Sequence, residues 1–169
     1  MKRQRNADGT EASVWEKWLA FSPSPQYLSL YARYDPGMIV RRHGHNSPHV
    51  VFVIEGGAWF GERWCPAGTH VELPDGASFG PIRAGDEGAV MFEVMLGDPR
   101  SWGDRPEEFA RVLDEHGATP LPDIELDYPD WLQDLRSHWR TDGSDLDDSD
   151  SNRDNPDSSD TDDRQEGTP

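Results

Sequence analysis

The sequence predicts an all-β fold, a sandwich or barrel of short strands, with a short helical C-terminal extension and an acidic tail behind it. Three observations predict this. Between Gln26 and Leu96, stretches with strand-type alternation follow one another. Glycine- and proline-rich turn signals separate them about every eight to twelve residues, which is sandwich or barrel spacing and not that of βαβ units. Helical spacing emerges only after Leu96. The chain has 169 residues, enough for one domain with a true core and too few for two ordinary ones.

Residues 1–25 read as an N-terminal arm. Its first twelve residues are polar and are expected to fray, and SVWEKWLAF forms a helical turn or a short strand that buries Trp15, Trp18 and Phe21. Prolines 23 and 25 then break regular structure. The barrel, residues 26–97, is built from QYLSLYARY, GMIVRRHGH, HVVFVIEGG, AWFGERW, THVELP and AVMFEVML. Residues 98–140 form the helical extension. RPEEFARVLDEHG has Pro106 near its start and Gly117 as its stop, and YPDWLQDLRSHW places Trp131, Leu135 and Trp139 roughly on one face. Residues 141–169 have almost no apolar side chains, so burial cannot offset the entropy of ordering them, and the segment is expected to be disordered.

The formal net charge is −17, which argues against a nucleic-acid binder and against a protein drawn to anionic membranes. The tail carries eleven Asp/Glu against two Arg, about half of that charge, so the body is only moderately acidic. Such a tail is more readily a solubilising chain or an adaptation to high salt than a docking motif. A single cysteine, Cys65, excludes an intramolecular disulfide and multi-thiolate zinc sites. The sequence has no run of membrane-spanning length and its basic start lacks a signal-peptide core, so the expected place is the cytoplasm.

Chemistry concentrates in RRHGHNSPHVVFVIEGG, where His43, His45 and His49 stand within seven positions. On an extended strand His43 and His45 point to the same face. Asn46, Ser47 and Pro48 are turn residues, and if the next strand pairs back, His49 returns to the same patch. Three neutral imidazoles make a facial set for a first-row divalent metal with open positions for substrate. The alternative is a polar rim of exposed histidines beside Arg41 and Arg42.

Gly37, five residues, His43 and His45 around Gly44, three residues, His49, six residues, Gly56: this spacing resembles the first motif of the cupins, in which His49 takes the place of a glutamate ligand. Gly68, Pro74 and Gly76 resemble the second motif, but its ligand position is Phe79. CPAGTHVELPDGASFGP also looks like the anti-sigma-factor, ChrR-type, cupin domain. The resemblance covers roughly residues 26–97. It implies a jelly-roll barrel of six to eight strands, a site in its mouth, a homodimer through the N-terminal strand, and one divalent metal. Fe(II) is favoured by likeness to cupin dioxygenases, with Mn, Ni or Zn as other candidates. Two of the four usual ligands carry over as His43 and His45, the third changes type, and the fourth does not carry over.

Other candidates come from alternation. His70 and Glu72 share one face of THVEL, Val71 and Leu73 the other, so His70 is an extra ligand and Glu72 an acid–base group only if the polar face looks inward. Glu93 interrupts the apolar strand AVMFEVML and, with Met91 and Met95 as same-face neighbours, is expected inside. Phe79 and Trp59 are the candidate pocket rings, with packing as the other role open to Trp59, Phe60 and Trp64. His116 stands at a helix end, where the dipole favours a cation. Two function classes remain. One is a metal-dependent enzyme acting on a small organic molecule, with Fe(II)-type dioxygenase chemistry foremost and Glu93 or Glu72 as proton acceptor. The other is a non-catalytic cupin that binds or senses a ligand or metal through a degenerate second motif.

Overall fold

The computed structural model describes residues 2–124. Its strands are β1 (Arg3–Arg5), β2 (Glu11–Pro23), β3 (Gln26–Tyr34), β4 (Ile39–Val40), β5 (His43–Asn46), β6 (His49–Phe60), β7 (Arg63–Pro66), β8 (His70–Leu73), β9 (Ser78–Phe79), β10 (Ile82–Met95), β11 (Asp98–Gly103) and β12 (Thr119–Leu121), with one helix, α1 (Pro106–Glu115). The large sheet runs β12-β1-β2-β3-β10-β6-β7, with β4 paired to β10 and β8 to β6. The small sheet runs β11-β5-β9. Two sheets with the core between them make the jelly-roll barrel that the motif spacing implied.

Antiparallel register puts residues of equal orientation in rows across the large sheet. One inward row is Leu30, Glu93, Val51, Val71, and the next is Leu28, Met95, His49, Leu73. With Ala32, Met91, Ile82 and Ala84 these rows form the buried core, and Phe79 of the small sheet packs into it. These two rows of the large sheet are therefore apolar except where His49 and Glu93 stand side by side.

Strand structure extends beyond residues 26–97 on both sides. SVWEKWLAF is not a helical turn: it lies within the 13-residue β2, paired along β3 from Val14 to Pro23. The first residues do not fray either. β1 is held between β2 and β12, and the buried side chain of Gln4 donates from Nε2 to the Gly37 carbonyl at 2.9 Å and accepts the Ile39 N–H at 2.9 Å. A buried amide satisfied at both ends fastens a strand as firmly as a ladder bond. The expected helical extension opens with a strand, β11, before α1 begins at Pro106, and α1 ends as predicted with Gly117 in the left-handed region at φ +61°. The second expected helix, residues 128–139, and the acidic tail lie outside the described residues. Among the described residues, no helix is long and apolar enough to cross a membrane.

Candidate functional site

His43 and His45 point inward from β5, as their two-residue spacing requires. Gly44 between them faces outward, where a Cβ would stand 2.5 Å from the Trp102 ring and 2.7 Å from the Ala77 carbonyl oxygen. Only glycine fits under that indole, so the sequence H-G-H is the record of β11 packing over β5. The expected return of His49 by strand pairing is not what occurs. β5 and β6 belong to different sheets; the turn through Ser47 and Pro48 carries the chain across, and His49 meets His45 from the opposite wall. The ring centroids of His43 and His45 are 5.3 Å apart and those of His45 and His49 5.1 Å, both edge-on.

Each imidazole has one nitrogen engaged. His43 Nδ1 is 2.9 Å from the Arg41 carbonyl oxygen, and His45 Nδ1 is 2.9 Å from the Pro99 carbonyl oxygen. A carbonyl only accepts, so both rings carry their proton on Nδ1 and leave the Nε2 lone pair free. His49 is reversed: Nε2 is 3.1 Å from Glu93 Oε2, and the buried Nδ1 has no partner. Burial pushes the His43 pKa down, against the Arg41 carbonyl bond. It pushes His45 down to about 4, with the neighbouring His49 and His43 adding to the effect. Both rings are thus neutral near pH 7, with lone pairs available.

Glu93 is inside, as its interruption of an apolar strand predicted, and is 9% exposed. His70 and Glu72 are not. Leu73 and Val71 point to the core, and His70 and Glu72 form a solvent-facing pair 3.8 Å apart with side chains 53% and 78% exposed. Neither belongs to the histidine centre. Trp59 is also outside: it packs at a tilt against Trp64, ring centroids 5.4 Å apart, under the Arg83 guanidinium, on the face opposite Ala58 and Phe60. Phe79 is the ring that does reach the centre. As the cross-strand partner of His43, it lies 4.4 Å from the His43 ring, 5.5 Å from His49 and 6.2 Å from His45.

The donor chemistry fits a first-row metal: three imidazoles, two held by backbone carbonyls and one by a carboxylate, with an orphaned buried nitrogen on His49. With the side chains as they stand, however, no group of three or more His, Cys, Asp or Glu among the described residues is placed to hold an ion together. Gathering the lone pairs requires the imidazoles to turn, and Phe79 is the ring packed among them.

On the far side of Phe79 lies a cavity of about 540 Å³, whose polar lining sequence reasoning missed. Phe60, Cys65, Val71 and Leu73 line it from the large sheet, and Phe79 stacks on Phe60 at 6.3 Å. Its polar lining includes Arg42, Arg63 and Glu108. Arg42 is occupied. It donates to the Gly80 and Ser78 carbonyls at 3.0 and 3.1 Å and pairs with Asp104 at 3.4 Å, tying the rim of the small sheet together. The advance signs of this cavity were Phe79, expected as a pocket ring, and Phe60, for which packing was the other role; Trp59, the second expected pocket ring, is not in its lining.

No family model matches the chain, and no curated protein matches it. Solved structures similar to it include an RmlC-like cupin protein from Ralstonia eutropha, 14% identical, covering 72% of this chain and 87% of its own, with a TM-score of 0.46. A cupin-like protein from Thermotoga maritima is 19% identical over 59% of this chain and 86% of its own, with a TM-score of 0.48. An acetylacetone dioxygenase from Acinetobacter johnsonii is 16% identical over 61% and 77% respectively, with a TM-score of 0.46.

Proposed function

Starting from a cupin barrel, we propose that the chain binds one first-row divalent metal, Fe(II) in preference to Mn, Ni or Zn, through His43, His45 and His49, and that it acts there on a small organic molecule. The observation that carries this reading is the orphaned Nδ1 of His49, buried beside two further imidazoles whose Nε2 lone pairs are also uncommitted. A buried nitrogen without a partner is costly, and a metal is the partner that suits three imidazoles at once. When bound, such an ion supplies a Lewis acid for a carbonyl or enolate oxygen and a redox centre for oxygen-dependent cleavage.

The chain's own residues do the rest. Glu93 holds His49 through Nε2 and is the carboxylate nearest the centre able to accept a proton from a bound substrate. The Arg41 and Pro99 carbonyls fix the tautomers of His43 and His45, so their lone pairs stay presented. Phe79 and the apolar core around it exclude water. The reading includes a cytoplasmic homodimer formed through the N-terminal strands, where Trp15, Leu19 and Tyr31 leave apolar surface exposed on β2 and β3.

A second reading, a ligand-binding cupin without catalysis, is favoured by one observation: Phe79 packs against all three imidazoles in the position of a fourth ligand. Metal content per chain, measured on untagged protein and on the His43→Ala/His45→Ala variant, separates the two. Close to one metal in the parent and none in the variant supports the first reading, and oxygen uptake with diketones and phenolic ketones then tests the chemistry. A parent protein that takes up no added iron, manganese, nickel or zinc overturns it.

A further inference from the structure

The cavity beyond Phe79 has its own chemistry. Its floor is two stacked phenyl rings, Phe60 and Phe79, flanked by Val71 and Leu73. Its volume lies within the range that small-molecule sites occupy. Two polar groups in its lining are unspent. Arg63 is on the cavity side of β7 because it pairs with Phe60 and stands two residues from Cys65, which also lines the cavity. Arg63 is exposed at the mouth of the cavity, and among the described residues its guanidinium has no hydrogen-bond or ion-pair partner, so it is free to meet an incoming anion. Glu108, in the first turn of α1, has a buried carboxylate oxygen, Oε2, with no partner at all. Buried oxygens of this kind are nearly always bonded, so the vacancy asks for a donor from outside the chain. Glu62 also lines the cavity, exposed at its rim.

We propose that this cavity binds a small hydroxylated aromatic carboxylate, its ring on Phe60 and Phe79, its carboxylate on Arg63 and its hydroxyl donating to Glu108. Arg42 is not the anchor, because its two terminal nitrogens donate to the Gly80 and Ser78 carbonyls and its Nε, which makes no hydrogen bond, is held in an ion pair with Asp104 at 3.4 Å. Arginine suits a carboxylate by its paired, parallel N–H groups, and a flat ring matches an apolar floor made of flat rings. The inference deepens the functional reading above by naming its substrate class. It rests on that reading for what happens to the ligand past Phe79, and not for the binding itself.

The test is calorimetric titration of the full chain with 4-hydroxybenzoate, benzoate and phenol, on metal-free protein and again after loading with Fe(II). The expected order is 4-hydroxybenzoate tightest, with each truncated probe at least about tenfold weaker. Arg63→Gln should cost about tenfold or more for the two carboxylates and leave phenol unchanged. Glu108→Gln should reduce the preference for 4-hydroxybenzoate over benzoate and leave benzoate binding unchanged. Near-ultraviolet circular dichroism of the seven tryptophans checks that both variants fold. Absence of saturable binding by 4-hydroxybenzoate, or an unchanged affinity in Arg63→Gln, overturns the proposal. Binding to the metal-free protein and to His43→Ala/His45→Ala keeps it standing even if the metal reading fails.

Discussion

Two histidine–glutamate pairs among the described residues behave in opposite ways. His49 and Glu93 meet at 3.1 Å between two sheets, almost without solvent. His70 and Glu72 stand 3.8 Å apart on the outer face of β8, both largely in water. The residue types are the same and the strands are close neighbours: β8 pairs with β6, and His49 itself lies opposite Leu73. One step along a strand turns a side chain from core to solvent. The difference teaches that here a His–Glu pair becomes chemistry through its face of the sheet, since water screens the exposed pair and holds neither partner in place.

The comparison breaks most sharply at His49. Replacing it with alanine leaves Glu93 in the core without its partner and opens a void beside it, so we expect a loss of about 3 kcal/mol in urea unfolding. A variant as stable as the parent would mean that Glu93 reaches solvent. Next comes Gly44→Ala. The added methyl collides with the Trp102 ring and the Ala77 carbonyl, and strain of this kind costs about 2 kcal/mol. Because it displaces the strand that carries His43 and His45, metal uptake should fall with it, readable by elemental analysis of the same sample.

Smaller effects sharpen the outer side. Val71→Ala removes apolar packing from the inward face of β8 and should cost about 1 kcal/mol by thermal or urea unfolding. Its neighbours on the other face, changed as His70→Ala or Glu72→Ala, should move stability by less than about 0.5 kcal/mol and leave metal content untouched. Loss of metal in either would place the outer pair back in the site and undo the contrast.

These two faces also mark where the sequence was legible. The alternation of THVEL separated His70 and Glu72 from Val71 and Leu73 correctly, but period-two patterning is symmetric and does not say which face looks inward. Glu93 was partly legible: a carboxylate in an apolar strand is either inside with a partner or on a solvated face, and its apolar same-face neighbours, Met91 and Met95, favoured the inside. The inward pair His43 and His45 followed from local spacing. That His49 arrives from the other sheet did not, because sheet membership is decided by long-range pairing that no local pattern records. The same holds for β2, whose mixed run around Trp15 and Lys17 suits a helix turn as well as a strand until β3 pairs with it. It holds for β11, hidden in a stretch whose composition points to the helix behind it. The unpartnered Oε2 of Glu108 was beyond sequence altogether, since only packing shows that it is buried with nothing among the described residues to satisfy it.

The pairing of β12 with β1 has a consequence for the chain as a path. Arg3 lies directly opposite Leu121, so the first and last strands of the described body are immediate neighbours. The route through the two sheets returns almost to where it began, and a linker of a few residues from Leu121 to Arg3 would close it into a ring. What the barrel needs is therefore the cyclic order of its strands. A cut in an exposed turn far from β1, with the old ends joined, should leave the same body and the same histidine centre.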